Sequence, residues 1–161
     1  MSTTSEQQGK KEEDTKKPSG TYEAGCHCGY IKFSATLSPP LPEYEVLNCN
    51  CSSCTHLGYL LVYPKVKDIV WHNNGRERCA SYRFNTKKMD QMFCPKCGAS
   101  LGIDFEGFFK DQEPMYGISV RTFYDIDLDS LKYKKCDGKN GIPPNKNLAG
   151  HIWDEERSEL K

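Results

Sequence analysis

Seven cysteines of this chain fall into three tight groups. These are Cys26 and Cys28 in "CHCG", Cys49, Cys51 and Cys54 in "CNCSSC", and Cys94 and Cys97 in "CPKCG". Thiolates at such spacing are metal ligands by type. Zinc held for structure takes four of them, whereas zinc kept for chemistry commonly takes three protein ligands and leaves one position open. Two of the groups end in Cys-Gly, and a glycine there can adopt positive φ and turn backbone N–H groups toward the ligand sulfur, as zinc knuckles at hairpin tips require. The pattern predicts that Cys26, Cys28, Cys94 and Cys97 form one closed four-thiolate site that ties the start of the domain to its middle. Structural zinc binds small peptides with about 10–16 kcal/mol, as much as the whole stability of a modest domain, roughly 5–15 kcal/mol.

The triplet is then left without a cysteine-rich partner. In an extended segment Cys49 and Cys51 point to the same face, and a turn through Ser52 and Ser53 brings Cys54 back to them. Three thiolates from one local segment can cap one side of a tetrahedral ion. An open, catalytic second site is the favoured reading. The alternatives are a second closed site, with His56, Cys79 or Cys136 as fourth ligand, and a triplet that is buried and holds no metal.

Few other groups could serve chemistry near such a site. His56, two residues past Cys54, is a candidate general acid, weighed against a plain surface or core histidine. Arg83 in "SYRF" and Arg121 in "GISVRTF" could bind carboxylates bidentately, weighed against exposed strand arginines. Cys79 shares a strand face with Ser81 and Arg83, opposite an apolar stripe of Ala80, Tyr82 and Phe84. Cys136 lies beside lysines, which favour a thiolate when exposed. His27, His72 and His151 earn no role.

The elements that must position these residues read as one mainly β domain. The chain has 161 residues, 37% of them hydrophobic, with a mean hydropathy of −0.72. That leaves a modest core for which a metal is a natural supplement. Short alternating runs broken by Gly, Pro and Asn include "YIKFSATL", "YLLVYP", "DIVWH", "CASYRF", "DQMFC", "SLGIDF" and "MYGISVRTF". They are the pattern of half-buried strands. A sustained helical period is absent outside the closing stretch "GHIWDEERSEL", and no fixed repeat is present. Residues 1–20, rich in Ser, Thr, Lys and Glu, are expected to be a disordered tail. The domain is expected over residues 21–153 and a short C-terminal tail over 154–161. "GIPPN", from Gly141, reads as a rigid connecting loop.

Twenty-two basic residues balance twenty-two acidic ones, which argues against a nucleic-acid backbone or an anionic membrane as partner. No apolar run suits a signal peptide or a bilayer span. A cytoplasmic chain, whose nine thiols stay reduced, is the expectation. Oligomeric state is not legible.

The three motifs "GCHCGYIKF", "CNCSSC" followed by "GYLLVYP", and "FCPKCGASL" occur in an order that resembles the glutathione-dependent formaldehyde-activating enzyme family, which includes the centromere-protein-V-like proteins. The resemblance runs from about Thr21 to Lys135. It implies a zinc-pinned β-tent of short antiparallel sheets with two zinc ions per chain. Cys26, Cys28, Cys94 and Cys97 match the structural site, and Cys49, Cys51 and Cys54 match the catalytic one. The commoner family pattern has a His between the first two cysteines of the triplet and basic residues after the third. Here Asn50, Thr55 and His56 stand in those places.

Three thiolates carry −3 against the metal's +2, so such a site is a weaker Lewis acid than a three-histidine zinc. It suits capture of a further soft ligand, a thiol, which coordination deprotonates. The resemblance implies that the thiol is glutathione and the second reactant formaldehyde or another small carbonyl. The enzyme would be a carbon–sulfur lyase of the S-(hydroxymethyl)glutathione synthase type. The contrasting expectation is a non-catalytic zinc β module that binds a protein or chromatin partner.

Overall fold

The computed structural model describes residues 17–84, 87–141, 153–157 and 159–160. Most of the expected N-terminal tail, the "GIPPN" loop beyond Gly141 and His151 lie outside them. Ten strands build two sheets. The first sheet joins β1 (Gly20–Gly25), β2 (Lys32–Leu37) and β5 (Ile69–His72) in the order β1-β2-β5. On β2 the alternation does what its pattern promised. Phe33, Ala35 and Leu37 are fully buried, while Ser34 and Thr36 meet Glu23 and Thr21 on the outer face. Removing the Phe33 ring would cost about 3–5 kcal/mol, the usual figure for an aromatic cut out of a packed core.

The second sheet has seven strands. Numbered along the chain they are β3 (Glu45–Cys49), β4 (Leu61–Val62), β6 (Ala80–Tyr82), β7 (Asp90–Phe93), β8 (Ser100–Asp104), β9 (Tyr116–Ser119) and β10 (Lys132–Cys136). Their spatial order is β10-β3-β4-β9-β8-β7-β6. The expected antiparallel pairing holds except at one edge. There β10 runs parallel to β3, with Cys136 opposite Cys49. A parallel neighbour needs a long return connection, and the six strands β4 to β9 between β3 and β10 provide it.

The two sheets enclose a core that includes Ile31, Phe33, Val46, Val62, Met92, Leu101, Ile118 and Val120, all fully buried. A bridge from Ala24 to Phe123 and the stacking of Tyr22 on Phe123, 5.5 Å between centroids, fasten β1 to the short 3₁₀ turn after β9. A second, smaller cluster gathers Cys49, Cys54, Tyr59, Leu61, Ile103 and Phe105.

Helices among the described residues are single turns: α1 (Ser52–His56), α2 (Gly75–Arg78) and α3 (Gly138–Gly141). α2 occupies part of the expected "HNNGRE" turn. It aims Arg76 at Asp104, 2.8 Å, and at Asp90, 3.2 Å, and so pins β7 to β8 from one side. Within "GHIWDEERSEL" the described residues form two short paired strands, β11 (Trp153–Asp154) and β12 (Glu159–Leu160), around a turn rather than a helix. The stripe expected on β6 is also corrected. Tyr82 is exposed and stacks on Phe84, 5.6 Å between centroids, because β6 is the outermost strand of its sheet. Cys79, just before it, packs instead against the main core.

Candidate functional site

The first cysteine group sits at the tip of the β1–β2 hairpin and the last at the tip of β7–β8, and the fold brings the tips together. The sulfurs of Cys26, Cys28, Cys94 and Cys97 all lie within 4.8 Å of one another. Cys26 to Cys28 is 3.7 Å and Cys28 to Cys94 is 3.9 Å. A tetrahedral zinc with Zn–S bonds of about 2.3 Å has sulfurs roughly 3.8 Å apart. The donor set therefore fits the ion.

The two tips are built alike. Cys26 N–H donates to the Ile31 carbonyl and Gly29 N–H to the Cys26 carbonyl; in the second tip Cys94 N–H donates to Ala99 and Gly98 N–H to Cys94. Gly29 and Gly98 both take positive φ, 75° and 74°. The turn frees further amides for sulfur: Ile31 N–H lies 3.2 Å from the Cys26 sulfur and Lys96 N–H 3.4 Å from that of Cys94. Backbone hydrogen bonds from Ala99 and Cys28 bring the Cys97 thiol down to about 6, the direction a metal-ligating thiolate needs.

The second group is assembled by a different device. Cys49 closes β3, Cys51 is the residue before α1, and Cys54 lies inside α1. The expected turn through Ser52 and Ser53 is a single helical turn, and it returns Cys54 to the other two. Thr55 N–H donates to the Cys51 carbonyl at 3.0 Å and Tyr59 N–H to that of Cys54 at 2.9 Å. The three sulfurs lie within 4.8 Å of one another, with Cys49 and Cys54 buried and Cys51 half-buried. The Cys54 thiol hydrogen-bonds to Cys51, and this bond outweighs burial to hold the Cys51 thiol down to about 4. The same bond, with burial, drives Cys54 upward. Negative charge is thus concentrated on one sulfur of a trio, and the set suits a soft cation.

Among the described residues, no histidine, cysteine or carboxylate places a fourth ligand atom within that distance of all three sulfurs. The expected alternatives are accounted for individually. His56 is exposed, and its Nδ1–H donates to the Ser52 carbonyl of its own turn, 2.7 Å. Cys79 lies with the core on the four-cysteine side, its S–H donating to the Gly75 carbonyl. Cys136 packs in the same cluster as the triplet, but its sulfur does not join the three. Asn50, which separates Cys49 from Cys51, is tied outward by its side chain to Asp137, 2.8 Å, and to the Lys139 N–H, 3.0 Å.

Above the triplet opens a cavity of about 440 Å³, within the size range of small-molecule sites. Its floor is Cys49, Cys51 and Cys54 with Leu47, Leu61 and Ile103. One wall is the loop after β8, where Phe108 N–H donates to the Phe105 carbonyl at 2.7 Å and sets Phe105 against Phe109, 5.2 Å between centroids. The base of that loop is held by Glu113, which pairs with Lys65 and with Lys67. Tyr63, half-buried and stacked on Phe105 at 6.2 Å, lines the cavity as well. Burial first, and the neighbouring Cys54 and Cys49 next, push its phenol upward, so it stays protonated. Tyr63 belongs to no chemical motif, and its place in "GYLLVYP" is its one sequence signal.

Neither arginine considered for carboxylate binding faces this cavity. The Arg83 guanidinium is engaged by Asp90 and by Glu106. Arg121 instead lines a separate hollow of about 640 Å³ beside the four-cysteine site, with His27 and Lys32. No helix of the described residues is long and apolar enough to cross a membrane.

Two comparisons place this architecture. The crystal structure of a Rhodobacter sphaeroides protein superimposes with a TM-score of 0.56 at 21% identity, over 70% of this chain and 99% of that one; this is a likeness of fold. The family model for the glutathione-dependent formaldehyde-activating enzyme matches residues 21–134. That span holds both converging cysteine sets and the cavity over the triplet, and the chain belongs to the glutathione-dependent formaldehyde-activating enzyme family.

Proposed function

We propose that this protein is a zinc-dependent carbon–sulfur lyase that makes and cleaves adducts between a small-molecule thiol, glutathione or another, and formaldehyde or a small carbonyl. Cys26, Cys28, Cys94 and Cys97 hold a structural zinc in this reading. Cys49, Cys51 and Cys54 hold a catalytic one. The observation that carries it is the convergence of three sulfurs, with no fourth protein ligand among the described residues, at the floor of a cavity. A closed structural site has no need of an access route.

Zinc at the triplet would supply one further position for a thiol and keep that thiol deprotonated at neutral pH. The chain's own residues do the rest. The apolar walls keep water from the reacting sulfur. Tyr63 stands at the cavity with its O–H intact. As sulfur attacks the carbonyl carbon, the C–S bond forms, the C=O π pair moves to oxygen, and that oxygen takes a proton from the Tyr63 phenol. The proton lost by the thiol restores the phenol, so the balance is thiol plus carbonyl to hydroxyalkyl thioether. Cleavage is the reverse, with the same phenol recovering the hydroxyl proton. General acid help of this kind is worth about 10²–10⁴-fold.

The test is exchange between free and adduct formaldehyde, followed by NMR with zinc-loaded full-length protein, glutathione and a panel of other thiols. Exchange faster than the spontaneous rate, lost in Cys54→Ser, is expected. Spontaneous exchange with every thiol would overturn the reading and favour the non-catalytic binding module. A cytoplasmic setting, which supplies reduced thiols at high concentration, suits the proposed reaction.

A further inference from the structure

The cavity over the triplet has an unusual lining for a site that meets a peptide thiol with two carboxylates. Among its described lining residues there is no lysine, arginine, histidine, aspartate or glutamate. Beyond the cysteines it is walled by the rings of Tyr63, Phe84, Phe105, Phe108 and Phe109, with Met89 and Met115 between them. Arg83, next in sequence to the lining residue Phe84, is already bound by two carboxylates. A carboxylate brought into such a space without a donor loses its hydration uncompensated. An aromatic or aliphatic body gains contact with polarisable rings and methionine sulfurs.

Four polar side chains besides the cysteines stand in that lining, Ser53, Tyr63, Gln91 and Gln112, and of these Gln91 carries a buried acceptor without a partner among the described residues. Gln91 pairs with Ile103 across β7 and β8 and faces the cavity with it. The residue is 4% exposed, and its Oε1 is buried with no hydrogen-bond partner among the described residues. A buried acceptor left unpaired costs about 1–3 kcal/mol. A ligand that brings a single O–H to that atom would remove the cost. The adduct of a thiol with an aldehyde has one such hydroxyl.

We infer that the substrate of this site is an uncharged, apolar-bodied thiol in the form of its hydroxyl-bearing carbonyl adduct, with the body seated among Phe105, Phe108 and Phe109 and the hydroxyl donating to Gln91 Oε1. The inference rests on the open three-thiolate reading above and narrows it. Glutathione, by contrast, is bound weakly. Phe108 and Phe109 are 37% and 41% exposed, so they stand ready at the mouth of the cavity rather than serving the core.

The test uses full-length protein loaded with cobalt(II), whose thiolate charge-transfer absorption reports a new sulfur ligand directly. Phenylmethanethiol, 2-mercapto-1-phenylethanol and glutathione are titrated in turn. The expected order is 2-mercapto-1-phenylethanol tightest, then phenylmethanethiol, with glutathione at least tenfold weaker than either. Phe109→Ser narrows the gap to glutathione several-fold with an unchanged circular dichroism spectrum. Gln91→Met lowers affinity for the hydroxyl-bearing thiol and not for phenylmethanethiol. Glutathione binding as tightly as the aromatic thiols overturns the inference and leaves the open site intact. Equal losses for both aromatic thiols in Gln91→Met remove the hydroxyl contact. No spectral response to any thiol overturns the open site itself.

Discussion

Cys136 stands directly opposite Cys49 in the parallel pairing of β10 with β3, and the peptide N–H of Asn50 donates to the Cys136 carbonyl at 3.0 Å. The far edge of the large sheet is therefore hydrogen-bonded to the segment that presents the triplet. Cys136 contributes backbone here, and its sulfur stays out of the trio. Cys136→Ser is expected to leave two zinc ions per chain and near-full activity, whereas Cys49→Ser loses one zinc. Elemental analysis after gel filtration checks both.

The two cysteine sets should fail in different ways. Cys97→Ser opens the link between the two hairpin tips, and because a structural metal is coupled to folding the domain should lose cooperative melting. Cys54→Ser removes a ligand from a site built within one short segment; activity should vanish while the fold remains. Circular dichroism melts that found the two equally damaging would mean that the sites do not divide as proposed.

Tyr63→Phe keeps the ring that stacks on Phe105 and deletes only the O–H. Turnover should fall by about 10²–10⁴-fold, the range for a lost general acid, with zinc content and melting temperature unchanged. His56→Gln should have little effect on rate, since His56 Nδ1–H is spent on the Ser52 carbonyl. Single-turnover rates of the two variants side by side decide which group moves the proton.

Asp90 is buried and receives Arg76 and Arg83. Burial alone would raise its carboxyl, but the hydrogen bond and charge of Arg83, joined by bonds from Ser81 and Arg76, outweigh it and hold the group below the ordinary carboxylate range. A lowered folded-state value means that this stabilisation is fully present above the ordinary carboxylate value. It is lost as pH falls below that value toward the folded-state one. Asp90→Asn should therefore destabilise the fold at neutral pH, by less than the roughly 3–5 kcal/mol of breaking a fully buried pair because Arg76 and Arg83 are part-exposed. The difference from wild type should shrink in acid. Urea titrations at pH 7 and pH 4 measure it.

All seven converging cysteines were readable because their spacing is local and the Cys-Gly turn has one mechanical purpose. The strand that ends in Cys49, β3, and its parallel partner β10 were not named from the sequence. "EVLNC" is too short to show a clean alternation, and "KYKKC" looks polar because β10 is an edge strand, where lysines guard an unpaired rim. Arg83 looked available to a ligand until the register of β7 set Asp90 beneath it. Likewise Phe105, Phe108 and Phe109 carry no visible period, since a loop, not a repeating element, turns them toward the cysteines.

The four-cysteine site joins residues 66 positions apart, Cys28 and Cys94. Holding the ends of such a loop together costs an unfolded chain about 4 kcal/mol of entropy. In the proposed zinc-bound form a metal ion would meet that cost without a disulfide. It would also set a schedule for synthesis. The strands β1, β2 and β5 are all complete in the chain by His72, but the β1–β2 tip must wait for Cys97 before its four-cysteine set is complete. Until then Cys26 and Cys28 lack the two partners with which, in the proposed zinc-bound form, they would share an ion, so that form predicts a domain that closes only after both hairpin tips exist.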